Sequence, residues 1–194
     1  YNRIHDHSCL SAIVAGCDNI ICNSSCQSAI IGGCGNEIIG SEGSIVLGGY
    51  HNYICCSSCY SSIVGGWNNY IGCYSRYSGV ISSYSSDIYN AKNSSIVGGS
   101  CNKLYGRGEY SCNSAILAGC YNRICDGSEK SAIVGGGWNT QLCGNGMVAV
   151  GISGLNGSST AQVKLDCRTI NSDGTINGTS NFTGPNFGTS TGTI

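Results

Sequence analysis

The sequence predicts an all-β chain wound as a parallel β-solenoid, of the β-roll or β-helix kind, with one rung of about 17 residues per repeat. Three observations carry this. An asparagine recurs at Asn2, Asn19, Asn36, Asn52, Asn69, Asn102, Asn122 and Asn139, with Ser86 in the one gap, at spacings of 17, 17, 16, 17, 17, 16, 20 and 17. Large aliphatic residues keep fixed offsets from it. A glycine stands three positions before it at Gly16, Gly33, Gly49, Gly66, Gly99, Gly119 and Gly136. A helical alternative fails, because 17 residues leave no room for two helices and Gly, Ser, Asn and Val-Ile pairs are poor helix material.

Take the asparagine as position zero. Position minus six holds Ile13, Ile30, Val46, Ile63, Val80, Ile96, Ile116 and Ile133, and minus five holds Val14, Ile31, Leu47, Val64, Ile81, Val97, Leu117 and Val134. Position plus two holds Ile4, Ile21, Ile38, Ile54, Ile71, Ile88, Leu104 and Ile124. These mostly β-branched side chains favour strands. Neighbouring strand residues point to opposite faces, so minus six and minus five bury on different surfaces. One surface faces the interior of the coil together with the plus-two residue. The other needs a second apolar partner, and an identical neighbouring chain is the natural candidate.

The glycine ends a strand and turns the chain, at a position of positive φ or very close packing. The asparagine after it suits a corner, and asparagines stacked rung on rung can bond side chain to side chain in a ladder. The looser half of each repeat, rich in Ser, Tyr and Cys, makes the return path. With rungs about 4.8 Å apart, nine of them give a rod on the order of 40 Å long. The few large aliphatics per rung do not offset the entropy of ordering so many backbones. Ladder hydrogen bonds, covalent links and chain–chain contact must add to them, and a homotrimer about a common axis is the expected arrangement.

The Ser-x-Ile-x-Gly-Gly-x-x-Asn unit resembles the repeats of virus and phage fibre proteins. It is also similar in size and style to the β-roll head of trimeric autotransporter adhesins, whose repeats carry an Asn-Ser-Val-Ala-Ile-Gly core. The resemblance covers residues 1–142 and implies a trimeric fibre, without implying a receptor.

Composition narrows the function classes. Charged residues are 10% of the 194, far below the usual quarter or so, and the net charge is −1. Nothing here would hold nucleic acid or an anionic membrane surface. No apolar run approaches the roughly 18 residues of a membrane span. The chain opens Tyr1-Asn2-Arg3-Ile4, as Tyr121-Asn122-Arg123-Ile124 does within a later repeat, and is read as a fragment with further repeats before it.

Residues 143–194 form a second segment, rich in Gly, Ser, Thr and Asn, expected to be a β-hairpin cap, neck or trimerisation element. Met147 to Ile152 reads as a degenerate last strand, Ala161 to Leu165 alternates as a strand does, and Thr169 to Ile176 reads as a hairpin turning at Ser172-Asp173-Gly174.

The fifteen cysteines fall into columns. Cys9 and Cys26, Cys17 and Cys34, and Cys56 and Cys73 each lie one rung apart, within the Cα separation that a disulfide tolerates. Two readings stay open: rung-to-rung disulfides in an oxidising compartment, or stacked thiols acting as small hydrophobes. The cysteines follow the rung period rather than zinc-knuckle spacing, so no metal is expected, and His5-Asp6-His7 reads as a solvated loop. No cofactor is expected either.

Tyr50, Trp67 and Tyr84 share the column of Cys17 and Cys34, with Tyr121 and Trp138 one position later. An aromatic stripe on a rigid rod is a candidate surface for a glycan or protein receptor. Packing of a corner is the bland alternative. Catalysis finds little support: Glu37 and Asp87 share a column but lie three rungs apart, about 14 Å, too far for a paired-carboxylate glycosidase.

The expectation is therefore a non-enzymatic fibre or spike segment of a virion or cell surface, extracellular, a rigid spacer that also serves attachment. A purely structural filament without receptor is the runner-up. Ice binding ranks lower, because the repeats lack threonine columns, and a tailspike-type glycan hydrolase ranks lower still.

Overall fold

The computed structural model describes residues 1–106, 113–125 and 128–136, and of the rest the backbone of 141–142, 147–151 and 163–166. The Asn139 and Trp138 positions and the expected hairpin at 169–176 lie outside the described residues. Among the described residues there is no helix. The chain is a parallel β-solenoid whose rungs each contribute one short strand to each of two sheets.

The first sheet stacks Arg3–Ile4, Ile20–Cys22, Glu37–Ile39, Tyr53–Cys55, Tyr70–Gly72, Asp87–Tyr89, Lys103–Tyr105, Arg123–Ile124 and Gln141–Leu142 in chain order. The second stacks Ala12–Ile13, Ala29–Ile30, Ile45–Val46, Ser62–Trp67, Gly79–Tyr84, Ser95–Val97, Ala115–Leu117, Ala132–Gly135 and Met147–Gly151. All these pairs are parallel and in repeat register, for example Ile21 on Ile38 and Ile63 on Val80. The 20-residue step does not disturb the register, since Leu104 still pairs with Ile124 and Ile96 with Ile116. Met147–Gly151 extends the second sheet beyond residue 142, and Val163–Asp166 then adds to it antiparallel.

Two files of aliphatic side chains make the core. Ile21, Ile38, Ile54, Ile71, Ile88, Leu104 and Ile124 come from the first sheet, and Ile30, Val46, Ile63, Val80, Ile96, Ile116 and Ile133 from the second, all fully buried. The minus-five residues point outward as the alternation requires: Val14, Ile31, Leu47, Ile81, Leu117 and Val134 are 40–68% exposed. Each rung thus buries two large aliphatics inside its own coil.

The remainder of the interior is polar and bonded from rung to rung. At one corner the asparagine ladder forms. Asn36 Nδ2 donates to Asn19 Oδ1 at 3.1 Å, Asn52 Nδ2 to Asn36 Oδ1 at 3.1 Å, and Asn69 Nδ2 to Asn52 Oδ1 at 3.0 Å. The same oxygens accept the next rung's backbone N–H, as Asn36 Oδ1 does from Asn52 at 3.0 Å. A buried amide whose donors and acceptor are all used costs little to bury.

The opposite turn carries two ladders of buried serines. Ser25, Ser41, Ser58 and Ser75 form one, in which each hydroxyl accepts the backbone N–H of its counterpart on the next rung at 3.1–3.2 Å; the last acceptor serves Ala91. Ser28, Ser44, Ser61, Ser78, Ser94, Ser114 and Ser131 form the other, at 3.1–3.3 Å. These hydroxyls satisfy the backbone N–H groups where the chain turns and cannot pair as a strand.

The glycine before each asparagine is required by space. Gly49 has φ +93°, and a Cβ there would collide with the Gly66 carbonyl oxygen and stand 2.6 Å from Asn52 Nδ2. The one rung lacking the asparagine lacks the glycine too. There Ser83 replaces the glycine, its hydroxyl 2.6 Å from that of Ser86, and it bonds the Gly99 carbonyl that an asparagine amide would otherwise have reached.

Candidate functional site

The two outer faces of the solenoid differ in chemistry. Across eight rungs the outward positions of the second sheet are small or aliphatic. Minus seven is Ala12, Ala29, Ile45, Ser62, Gly79, Ser95, Ala115 and Ala132, and minus five is the Val, Ile and Leu column, exposed at six rungs and half-buried at Val64 and Val97. No charged residue stands on these strands, and small residues such as Ala15, Gly32 and Gly48 follow them toward the corner.

The first sheet's outer face carries charges and tyrosines. Its plus-one column reads Glu37, Tyr53, Tyr70, Asp87, Lys103 and Arg123, neighbours in register throughout. Two tyrosines therefore separate Glu37 from Asp87, which rules out a carboxylate pair. Its plus-three column includes Cys55, Gly72, Tyr89 and Tyr105. Gly72 is the decisive member. The ring of Tyr70 leans along its own strand into the space above Gly72, where any Cβ would collide with it, and the Cys55 thiol donates to its hydroxyl at 3.1 Å.

With Tyr70 folded aside, a groove of about 470 Å³ opens, lined by Tyr53, Asn68, Tyr70, Asp87, Tyr89 and Tyr105. Its size falls within the ~300–1,000 Å³ of small-molecule sites. Each tyrosine has a fixing contact. The Tyr53 hydroxyl lies 3.3 Å from His51 Nδ1 and the two rings stack. Tyr89 bonds the Cys73 thiol, and Tyr105 lies 6.1 Å from Tyr89, with the Arg123 guanidinium over its other side at 5.0 Å. Asp87 pairs with Lys103 at 3.7 Å. Burial raises the Asp87 pKa above the usual carboxylate range, opposed by the Lys103 charge and hydrogen bond. Burial likewise raises Tyr53 and Tyr70, helped by the Glu37 charge at Tyr53.

The sequence-derived stripe is present at the corner. Tyr50, Trp67 and Tyr84 stack edge-to-face with centroids 5.8 and 5.3 Å apart, each 45–50% exposed. Tyr121 is also half exposed but does not join them; it bonds Cys101 instead. Each stripe ring packs on the next and remains half exposed to solvent. The groove was not singled out from the sequence. Its only linear signal is tyrosine at plus one and plus three on neighbouring rungs around a glycine.

Of the two readings of the cysteine columns, the structure shows the stacked thiols: Cys9, Cys26, Cys17, Cys34, Cys56 and Cys73 stand as thiols, without a disulfide between rungs. The columns are right, and Cys17 and Cys34 are bridge partners with their thiols hydrogen-bonded. In-register side chains on parallel strands stay about 4.8 Å apart, beyond the roughly 3.8 Å Cβ separation of a disulfide. Other contacts serve several of them: Cys26 Sγ accepts from the Cys9 N–H at 3.2 Å and donates to the His7 carbonyl at 3.2 Å, and Cys56 lies against Cys55 at 3.3 Å. Cys125 alone among the described cysteines is disulfide-bonded. Two sets of possible metal ligands, His5-Asp6-Cys22 and Cys17-Asp18-Cys34, come together mainly at the surface. In the first, the Asp6 carboxylate already pairs with His5 at 2.7 Å.

Comparison with protein-family models, with curated proteins and with solved structures finds no match. Fold and surface chemistry together define the class, a parallel β-solenoid repeat protein with one apolar and one tyrosine-lined outer face. No helix among the described residues is long and apolar enough to cross a membrane.

Proposed function

We propose that the chain is a rigid fibre segment of a virion or cell surface, formed by identical chains that associate through the second sheet, with a homotrimer about a common axis as the assembly. The observation that carries this is the uncharged second-sheet face, eight rungs long, with an aliphatic column flanked mostly by small residues. Water-facing protein surfaces rarely leave so long an apolar strip uncovered. A symmetric copy offers the same strip in the same register, and the small flanking residues let backbones approach closely. The tyrosine-lined face belongs to the other sheet and stays open in such an assembly, which suits attachment beside the spacer role.

Sedimentation velocity and negative-stain electron microscopy of the purified chain test this. The expected result is a concentration-stable oligomer of straight rods. A monomer throughout the micromolar range would overturn it. Ice binding lacks support, because this face carries Val, Ile and Leu where ordered threonines would be wanted.

A further inference from the structure

We infer that the groove between Tyr53, Tyr70, Asp87, Tyr89 and Tyr105 is a binding site for the ring of a neutral saccharide. This deepens the attachment part of the reading above and rests on it only in leaving the first sheet uncovered. Four tyrosines present ring faces or edges against which the C–H groups of a sugar can pack. The polar groups are few and placed among them: the Asp87 carboxylate, the Asn68 amide and the tyrosine hydroxyls. The walls are held before any ligand arrives, by His51, Cys55, Cys73 and Arg123 as described, so little ordering cost remains on binding.

Charge decides between ligand classes. An aromatic site with a carboxylate would ordinarily attract a cation. Here Lys103 already pairs with Asp87 at 3.7 Å, and the Arg123 guanidinium already occupies the outer side of Tyr105. A cationic ligand would meet two cations already serving these partners, and an anion would meet the carboxylate. A neutral ring bearing hydroxyls meets neither obstacle, since a hydroxyl both donates to Asp87 and accepts from Asn68. Gly72 acts as the gate in this geometry. A methyl group there pushes the flexible Tyr70 ring back over the groove, without needing a backbone change.

Saturation-transfer NMR of the intact chain with methyl glucoside, methyl galactoside, methyl mannoside and N-acetylglucosamine tests the site, with tetramethylammonium as the cationic probe. At least one sugar should show transfer. Tyr89→Ala should weaken it roughly tenfold, the worth of one aromatic contact, and Gly72→Ala should weaken it as well. Tyr60→Ala, a tyrosine remote from the groove, should leave it unchanged, with circular dichroism confirming the fold of each variant. Absence of transfer from every sugar, transfer unaffected by both Tyr89→Ala and Gly72→Ala, or transfer from tetramethylammonium in place of the sugars would each overturn the proposal. None of these outcomes bears on self-association, which sedimentation reads separately.

Discussion

The Cys55 thiol donates a hydrogen bond to the Tyr70 hydroxyl at 3.1 Å, across a rung boundary and beside the glycine that makes room for the ring. Both groups lose their ordinary acidity there. Burial is the main cause: it pushes Cys55 up to about 12 from 9.0 against the opposing Tyr70 hydrogen bond, with Cys56 adding to the rise, and it raises Tyr70 as well.

An alkaline weakness follows from the burial of Cys55. The folded-state pKa of Cys55 lies above its unfolded value, so the folded chain holds the proton more tightly. The stability this gives is fully present below pH 9 and is lost as pH rises toward about 12. Denaturant midpoints should fall between pH 8 and pH ~11, and Cys55→Ala should flatten that fall. Alkylation with iodoacetamide near pH 8 should modify the exposed Cys9, Cys17 and Cys56 well before Cys55 or the buried Cys22.

The amide ladder makes each asparagine a large single point of failure. Asn52 Oδ1 accepts two bonds from Asn69, and its Nδ2 donates to Asn36 and lies near the Gly48 and Gly66 carbonyls. Asn52→Ala strands several of these groups and should cost about 3–5 kcal/mol in chemical denaturation. Asn52→Ser should cost less, since Ser86 shows that a hydroxyl still accepts the next rung's N–H, at 3.1 Å.

Ser83 and Ser86 predict a coupling. Gly49→Ser alone should be strongly destabilising because of the collision with Gly66 and the φ of +93°. Combined with Asn52→Ser it should cost less than the sum of the two singles. The interaction energy in a double-mutant cycle should be about 1 kcal/mol or more in the favourable direction. Strict additivity would show that the co-occurrence of Ser83 and Ser86 has no energetic basis.

The serine ladders predict an effect that surface exposure alone would not. Ser61 accepts from Ser78 N–H at 3.1 Å and donates to the Ser75 carbonyl at 2.7 Å, so Ser61→Ala should lose about 1–3 kcal/mol. Ser62, its outward-facing neighbour, should tolerate alanine with a change within about 0.5 kcal/mol.

The apolar face can be tested by charge. Leu47→Lys and Ile81→Lys place ammonium groups where the proposed copy packs. They should convert the oligomer to monomer in sedimentation while leaving the circular dichroism spectrum of the rungs intact.

Most of the scaffold was legible because a solenoid is nearly one-dimensional. A period and an alternation are enough to say that Ile30 goes in and Ile31 goes out. The plus-two and minus-six files, the glycine corner and the asparagine ladder all follow from offsets. What was not legible depended on which neighbour a side chain chooses. Serine at minus eight is present in every rung, yet it reads as a solvated loop residue until the backbone N–H above it is seen to lack any other partner. The cysteine columns were placed correctly, but whether Cys73 turns to Cys56 or to Tyr89 is a rotamer choice. The groove exists for the same kind of reason, because the Tyr70 ring lies down over Gly72 instead of standing in its column.

The polar ladders run along the rod, each bond joining a residue to its counterpart 16, 17 or 20 positions away. Strength is therefore repeated in series from rung to rung. A chain pulled from its two ends would not give way as one body. It would shed turns one after another, each releasing about 5–6 nm of extended backbone, a length set by a rung of about 17 residues. A rod built this way yields to load in small steps, one rung at a time.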